Sequence, residues 1–216
     1  MKNTFSILIS LIIILFIISG CQSEPEKPNI LVIFTDDQRM DALSCYDRDC
    51  PIETPNIDQL ANSGIRFTNG FVTTPICMIS RACLLSGRYE SNHRMHGFHE
   101  KMEDDVFRHI YPVYLKDAGY YIGNYGKYGI DTTKEQIEVF DAFIGQPAQG
   151  PPFRDYKGRK VHDAEWLALM TEEFLDQVPE DRPFCLQLNY KEPHRSAEPA
   201  PEDLGALADY VFPKAP

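Results

Sequence analysis

The chain has 216 residues, of which 43% are hydrophobic and 12% aromatic. This composition excludes a largely disordered protein and is sufficient for one domain with a substantial core. The formal net charge of −11 at pH 7 argues against nucleic acid as a partner, because phosphate contacts need a basic face, so attraction to a polyanionic substrate must come from a few Lys and Arg side chains in a pocket.

The first 21 residues have the pattern of an export signal. Lys2 gives a positive start, and an almost wholly apolar run follows from position 5 to position 18; the run is short for a membrane span and typical of a signal peptide. The Ile-Ser-Gly-Cys run that ends at Cys21 resembles a bacterial lipobox. It implies an exported bacterial lipoprotein, periplasmic or at the cell surface, which lipid on Cys21 anchors to the membrane. A single anchor helix with an incidental cysteine is the alternative.

Residues 22–28 are polar and Pro-rich and predict a tether. A continuously apolar run then predicts a buried strand from Asn29 to Phe34. Asp36 and Asp37 follow at its carboxyl end, where open α/β sheets place their sites. Adjacent carboxylates suit calcium or magnesium, whereas the plain alternative is a solvated turn.

A short helix and a strand are predicted next. Thr54 reads as an N-cap, Pro55 as the first helical residue and Gly64 as the stop of a helix over 54–64. The apolar residues of 65–72 then predict a strand.

A second helix is predicted to begin near Cys77, after a Thr-Thr-Pro loop. The free N–H groups and the dipole of a helix N-terminus favour an anion or a nucleophile. Arg81 lies one turn further on the same face, so a nucleophile and a cation would meet a charged oxyanion together. The alternative is a buried cysteine that caps a core helix.

The remaining elements are a histidine-bearing loop, two helices and a long irregular stretch. We expect His93, His96 and His99 to lie in a solvated or substrate-facing loop. An amphipathic helix is predicted over 104–118, interrupted by Pro112, and another over 161–178. Residues 131–160 are rich in Gly, Pro and polar side chains and predict a long loop.

Two further stretches carry charged side chains at strand ends. Strands are predicted near 120–125 and over 183–190. Lys127 follows the first in a glycine-rich turn and, as a point charge, suits a small oxyanion; a surface lysine is the alternative. His194 follows the second, although an isolated histidine is more often structural.

These stretches together resemble the type I sulfatases. The first signature of that family, C-x-P-x-R with a T/S-G-R ending, is matched except at Ile79, where the family has Pro or Ala. The matching residues are Cys77, Ser80, Arg81, Ser86, Gly87 and Arg88. The second signature, G-Y-x-T-x-x-x-G-K-W-H, is matched by Gly119, Tyr120, Gly126 and Lys127. Gly129 stands where the family has a histidine that contacts the nucleophile. The strand before Asp36 and the Pro-His pair at His194 also resemble the family.

The resemblance implies an α/β fold of the alkaline-phosphatase-like superfamily, a mostly parallel sheet sandwiched by helices. Residues 29–216 would be the N-terminal portion of the catalytic domain, truncated before the C-terminal part, and we expect this chain alone to show no turnover. It also implies that a formylglycine-generating enzyme, or an anaerobic sulfatase-maturing enzyme, oxidises Cys77 to formylglycine.

The resemblance implies a role for each site residue as well. Asp36, Asp37 and modified Cys77 would bind calcium, Arg81 would steady the hydrated aldehyde, Lys127 would hold sulfate oxygens and His194 would assist the leaving alcohol. The implied function is removal of sulfate from sulfated polysaccharides or oligosaccharides. Two alternatives are a phosphate or phosphonate ester hydrolase of the same superfamily and a non-catalytic surface lipoprotein that binds sulfated glycans.

Four cysteines lie outside these assignments. Cys45 and Cys50 are close enough in sequence to pair across a small loop, and Cys83 and Cys185 lie in apolar sequence that favours buried free thiols.

Overall fold

The structure is a computed structural model that describes residues 26–146, 150–194 and 198–211. The predicted signal peptide with Cys21 and the first part of the predicted tether lie outside these residues. No helix among the described residues is both long enough and apolar enough to cross a membrane.

Four parallel strands form the main sheet of the described part, in the order β1-β6-β2-β3. Their bounds are β1 Ile30–Phe34, β2 Tyr121–Lys127, β3 Ala142–Gln146 and β6 Phe184–Asn189. A separate antiparallel hairpin pairs β4, Phe153–Tyr156, with β5, Arg159–His162. Because parallel strands end at one edge, the residues that follow β1, β2, β3 and β6 lie along the same side of the sheet.

Helices cover both faces of this sheet. The helices are α1 Pro55–Ser63, α2 Cys77–Ser86, α3 Glu90–His93, α4 Asp104–Phe107, α5 Tyr111–Asp117, α6 Lys134–Ile137 and α7 Asp163–Gln177. On one face Ile79 and Leu85 of α2 pack in a core with Ile122 and Cys185 of the strands. On the other face Leu167 and Phe174 of α7 pack on β2 and β6. The predicted α/β fold, a mostly parallel sheet between helices, is confirmed.

Several element predictions are confirmed. The strand after residue 29, the helix after Thr54, the helix that begins at Cys77 and the strand before Lys191 are all present. The strand after residue 29 is not buried as predicted, because β1 is an edge strand of the described sheet and Leu31 and Ile33 are exposed. The helix predicted over 104–118 is divided as expected, since Pro112 lies in the first turn of α5, where its missing N–H costs nothing.

The strand predicted over 65–72 is wrong. No described strand pairs with this segment, and its apolar side chains lie in solvent, with Ile65, Phe67 and Phe71 exposed to 85%, 75% and 89%. An apolar pattern makes a strand only where a neighbouring strand takes its backbone hydrogen bonds.

The long loop predicted over 131–160 is also wrong. It contains α6, β3, β4 and the start of β5. Two signals were missed: the Thr133–Gln136 capping box that begins α6, and the tight turn at Lys157 and Gly158, both with positive φ. Such a turn usually begins with Asn, Asp or Gly, and because Lys157 is none of these, the sequence did not indicate the turn.

Three predictions about side chains need correction. His93 is fully buried on α3 and does not lie in a solvated loop, whereas His96 and His99 are exposed. Cys45 and Cys50 are free thiols in the structure, and so are Cys83 and Cys185. Cys185 is buried as predicted, but Cys83 is only partly buried.

Candidate active site

Asp36 is the centre of the charged cluster at the carboxyl edge of the sheet. Its carboxylate is 5% exposed and follows directly from β1. One of its oxygens, Oδ2, is in contact with Lys127 Nζ and lies 3.4 Å from Arg81 Nη2. Both cations are 1% exposed. Two buried cations therefore share one buried carboxylate, an arrangement that leaves net positive charge in a pocket of an acidic protein.

Arg81 is held on three sides. Its Nη1 donates to Asn189 Oδ1 at 2.9 Å, and its guanidinium lies over the ring of Phe34, 4.9 Å from the ring centroid. Burial lowers the pKa of Arg81 from its ordinary value, and the charge of Asp36 opposes that change. The group stays charged, because arginine does not lose its proton in proteins.

Asn189, at the end of β6, is a site residue that the sequence did not reveal. Its Oδ1 also accepts from Gln187 Nε2 at 2.7 Å, and its Nδ2 donates to Asn124 Oδ1 at 3.0 Å and to the carbonyl of Tyr125 at 3.1 Å. With these bonds the side chain that orients Arg81 is itself fixed. The available signal was polar residues in an otherwise apolar buried strand, which need partners when buried.

Lys127 reaches Asp36 because β2 and β6 approach closely at Gly126. Gly126 has a φ of +93°, and a Cβ there would overlap the backbone carbonyl of Asn189. The close contact of β2 with β6 therefore requires a glycine at this position of the second signature. Only glycine combines this φ with this approach.

Cys77 is the first residue of α2 and is partly exposed, as the sequence predicted for a helix N-terminus. Ile79, the residue that departs from the first signature, is fully buried in the core. Its side chain therefore serves packing in the folded protein, and Arg81, one turn after Cys77, points into the charged cluster.

Asp37 and His194 lie at the solvent side of the same edge. Asp37 has a φ of 58° and a largely exposed side chain, and its Oδ2 lies 3.8 Å from His194 Nε2. The Asp36 N–H donates to the carbonyl of Glu192 at 3.1 Å, which joins the two segments. The structure thus brings Asp36, Arg81 and Lys127 into contact and places Asp37 beside His194.

The described residues do not by themselves form a calcium site. Asp36 contacts the two cations, Asp37 points to His194, and no described group of three or more His, Cys, Asp or Glu side chains could hold a metal ion. Calcium takes six to eight oxygen ligands. We therefore derive no reaction step through a metal.

The chain is similar to known sulfatases. The family model named Sulfatase matches residues 28–207. An N-acetylglucosamine-6-O-sulfatase of Bacteroides thetaiotaomicron is 30% identical over 200 residues, which are 89% of this chain and 35% of that protein. The N-sulphoglucosamine sulphohydrolase of Homo sapiens is 29% identical over 193 residues, which are 88% of this chain and 36% of that protein.

Solved structures agree. A protein in complex with its substrate D-glucosamine-2-N,6-O-disulfate superposes with a TM-score of 0.75 and 29% identity, over 88% of this chain and 39% of that one. The chain thus spans less than half the length of these relatives. A family match over most of the described residues, on the same fold, shows that the chain belongs to the sulfatase family.

Proposed function

We propose that this chain carries the sulfate-binding and nucleophile-bearing part of a sulfuric ester hydrolase. One observation carries the proposal: Arg81 and Lys127 converge, buried, on the single carboxylate of Asp36, beside the helix that begins at Cys77. Fixed cations in a water-poor pocket stabilise charge that develops on transferring oxygens far better than cations in solvent do.

Each described side chain then has a role. The hydrated aldehyde of a formylglycine derived from Cys77 would supply an oxygen nucleophile at sulfur, and loss of a proton from its second hydroxyl would then expel sulfate and re-form the aldehyde. Lys127 and Arg81 bind the sulfuryl oxygens and stabilise the charge that builds on them. His194 gives a proton to the ester oxygen as its bond to sulfur breaks, so that the product leaves as a neutral alcohol. Asp36 keeps the two cations together between turnovers.

The substrate we propose is a sulfated sugar within a polysaccharide or oligosaccharide. The relatives named above act, by their names, on sulfated glucosamine derivatives. Export as a lipoprotein anchored through Cys21 and conversion of Cys77 by a maturing enzyme belong to the same proposal. Binding of calcium by Asp36 and Asp37, together with further oxygen ligands, also remains a prediction. A rise in the unfolding temperature when calcium is added would support it, provided that the rise is lost in Asp37→Ala.

The test is turnover by the whole protein as its native host makes it, together with any sequence beyond these 216 residues. We expect sulfate release from N-acetylglucosamine 6-sulfate, and no phosphate release from the 6-phosphate of the same sugar. Cys77→Ala and Lys127→Met should each lower kcat/KM by at least about a hundredfold, the usual cost of removing a nucleophile or a transition-state charge contact. Preference for the phosphate ester, or full activity in Cys77→Ala, would contradict the proposal.

A further inference from the structure

A cavity of about 470 Å³ lies beside the charged cluster. We call it the Gly129 pocket. Its walls come from the residues that follow β2, from the end of β3, and from Phe98 and His99 in the loop after α3. Its volume falls within the range of small-molecule sites in proteins.

Gly129 lines the pocket and also lies next to residues of the candidate active site. A Cβ built on this glycine lies 3.5 Å from Arg81 Cδ and 3.9 Å from the Cα of Met78, the residue after Cys77. The pocket thus adjoins the stem of Arg81 and the first turn of α2. Gly129 therefore lies between the pocket and the Arg81 side chain.

The pocket is lined by two buried polar side chains without partners. Gln146 is 7% exposed and Tyr128 is 3% exposed, and neither Gln146 Nε2 nor the Tyr128 hydroxyl has a hydrogen-bond partner within the described part of the chain. Leaving such a group unpaired is unfavourable, so these atoms favour a ligand that can pair with them. Burial raises the pKa of Tyr128, so its hydroxyl remains neutral and can both donate and accept.

The charge of the lining separates this pocket from the anion site. Among the described residues that line it there is no Lys or Arg, and Asp131 contributes a carboxylate. The pocket therefore offers a sulfate group less positive charge than Arg81 and Lys127 do. Phe98, which is 62% exposed, offers an aromatic surface at the rim. An amide, a phenol, a carboxylate and an aromatic face together suit a neutral ring with several hydroxyl groups.

We propose that the Gly129 pocket binds the sugar ring of the sulfate ester, with its hydroxyl groups on Gln146 and Tyr128 and one face of the ring on Phe98. This inference rests on the proposed function and deepens it. The sulfuryl group then lies at Arg81 and Lys127, and the ring occupies the space beside Gly129.

The experiment measures the binding of two probes, inorganic sulfate and N-acetylglucosamine 6-sulfate, to the full chain by calorimetry. We expect the sugar sulfate to bind more tightly than sulfate. Gln146→Leu and Phe98→Ala should each weaken the sugar sulfate by about three- to tenfold, as expected for one lost contact, and leave sulfate unchanged. Lys127→Met should weaken both probes.

Two controls make the outcome decisive. Phe71→Ala removes an aromatic ring that is 89% exposed and lies outside the pocket, and it should change neither affinity. If Gln146→Leu fails to fold, the side-chain amide signal of Gln146 in the wild type should still shift on titration with the sugar sulfate and not with sulfate.

The results separate failure of the pocket from failure of the function. If sulfate binds through Lys127 but the sugar ring adds no affinity, or if the added affinity survives both pocket variants, the pocket proposal is overturned and the anion site stands. If neither probe binds the wild type, both proposals are contradicted.

Discussion

At the scale of single residues, Asp36 holds the buried charged cluster together. Its carboxylate lies between Lys127 and Arg81, all three are nearly fully buried, and removal of one partner leaves uncompensated buried charge. Asp36→Asn should therefore lower the free energy of unfolding by about 3–5 kcal/mol, measured by urea denaturation. Asp37→Asn is the matched control: its side chain is 65% exposed, and its change should stay within about 0.5 kcal/mol. Equal effects would contradict this description of the cluster.

His93 makes the stability of the protein depend on pH. It is fully buried, its Nδ1 accepts the Met95 N–H at 3.2 Å, and its Nε2 lies 3.3 Å from Cys83 Sγ. Burial lowers the pKa of His93 from 6.5, and the nearby charge of Glu90 only partly offsets this. Below the unfolded-state pKa, the unfolded chain binds more protons than the native one, so this contribution is present above 6.5 and is lost as the pH falls.

The corresponding measurement is the urea midpoint between about pH 7.5 and pH 5. In His93→Asn the urea midpoint should fall less at low pH than in the wild type. In His99→Asn, a change at an exposed position, the urea midpoint should fall as much as in the wild type. If the urea midpoint of the His93 variant falls with pH as steeply as that of the wild type, other groups account for the pH dependence of stability.

At the scale of elements, the contact of β2 with β6 depends on Gly126. Gly126→Ala would force a Cβ onto the carbonyl of Asn189, whereas a Cβ on Gly119, at a φ of +92°, meets nothing within 4 Å. Gly119→Ala should cost only the strain of its backbone, about 1 kcal/mol. Gly126→Ala should cost at least about 3 kcal/mol, by thermal or urea unfolding, since backbone must move. Similar costs would mean that backbone conformation alone explains both glycines.

The elements that the sequence predicted correctly are those with local signals. The continuous apolar run of β1 and the proline in the first turn of α1 are readable without knowledge of their neighbours. The segment 65–72 was mispredicted because pairing depends on a distant strand. The β4–β5 turn was missed because Lys157 is unusual in its conformation.

The site shows the same division. Cys77 and Arg81 were found because one helix carries both, and Lys127 was found from its glycine-rich surroundings. The contact of Arg81 with Asn189 joins residues 108 positions apart, and no local pattern encodes it. The pairing of Arg81 and Lys127 on Asp36 likewise depends on the strand order.

At the scale of the whole molecule, β1 has the composition of a strand buried on both faces, yet it lies at an edge of the described sheet. Leu31 and Ile33 are 51% and 53% exposed on one face. An apolar sheet face in solvent binds hydrophobic dyes and promotes association. We expect Leu31→Lys combined with Ile33→Lys to reduce dye fluorescence and self-association, seen by light scattering. Leu175→Lys, on α7, is the control and should have little effect; an equal reduction would contradict a role for the β1 face.

The same scale includes the proposed conversion of Cys77, which a maturing enzyme would have to carry out before the chain folds. Ile79 and Arg81, which flank the position in the signature, are 0% and 1% exposed. A maturing enzyme can read them only in the unfolded chain. Under the proposed conversion, the departure at Ile79 would affect recognition of the nascent chain, whereas in the folded protein that side chain fills the core.

Mass spectrometry of the peptide that contains Cys77, from protein isolated from its native host, shows whether the proposed nucleophile is present. We expect an aldehyde in place of the thiol in a substantial fraction of the molecules. A sulfatase whose conversion to formylglycine has been measured, produced in the same cells, serves as the control for maturation. An unmodified thiol throughout, in cells that convert the control protein, would contradict the assignment of Cys77 as the nucleophile and with it the proposed hydrolysis of sulfate esters.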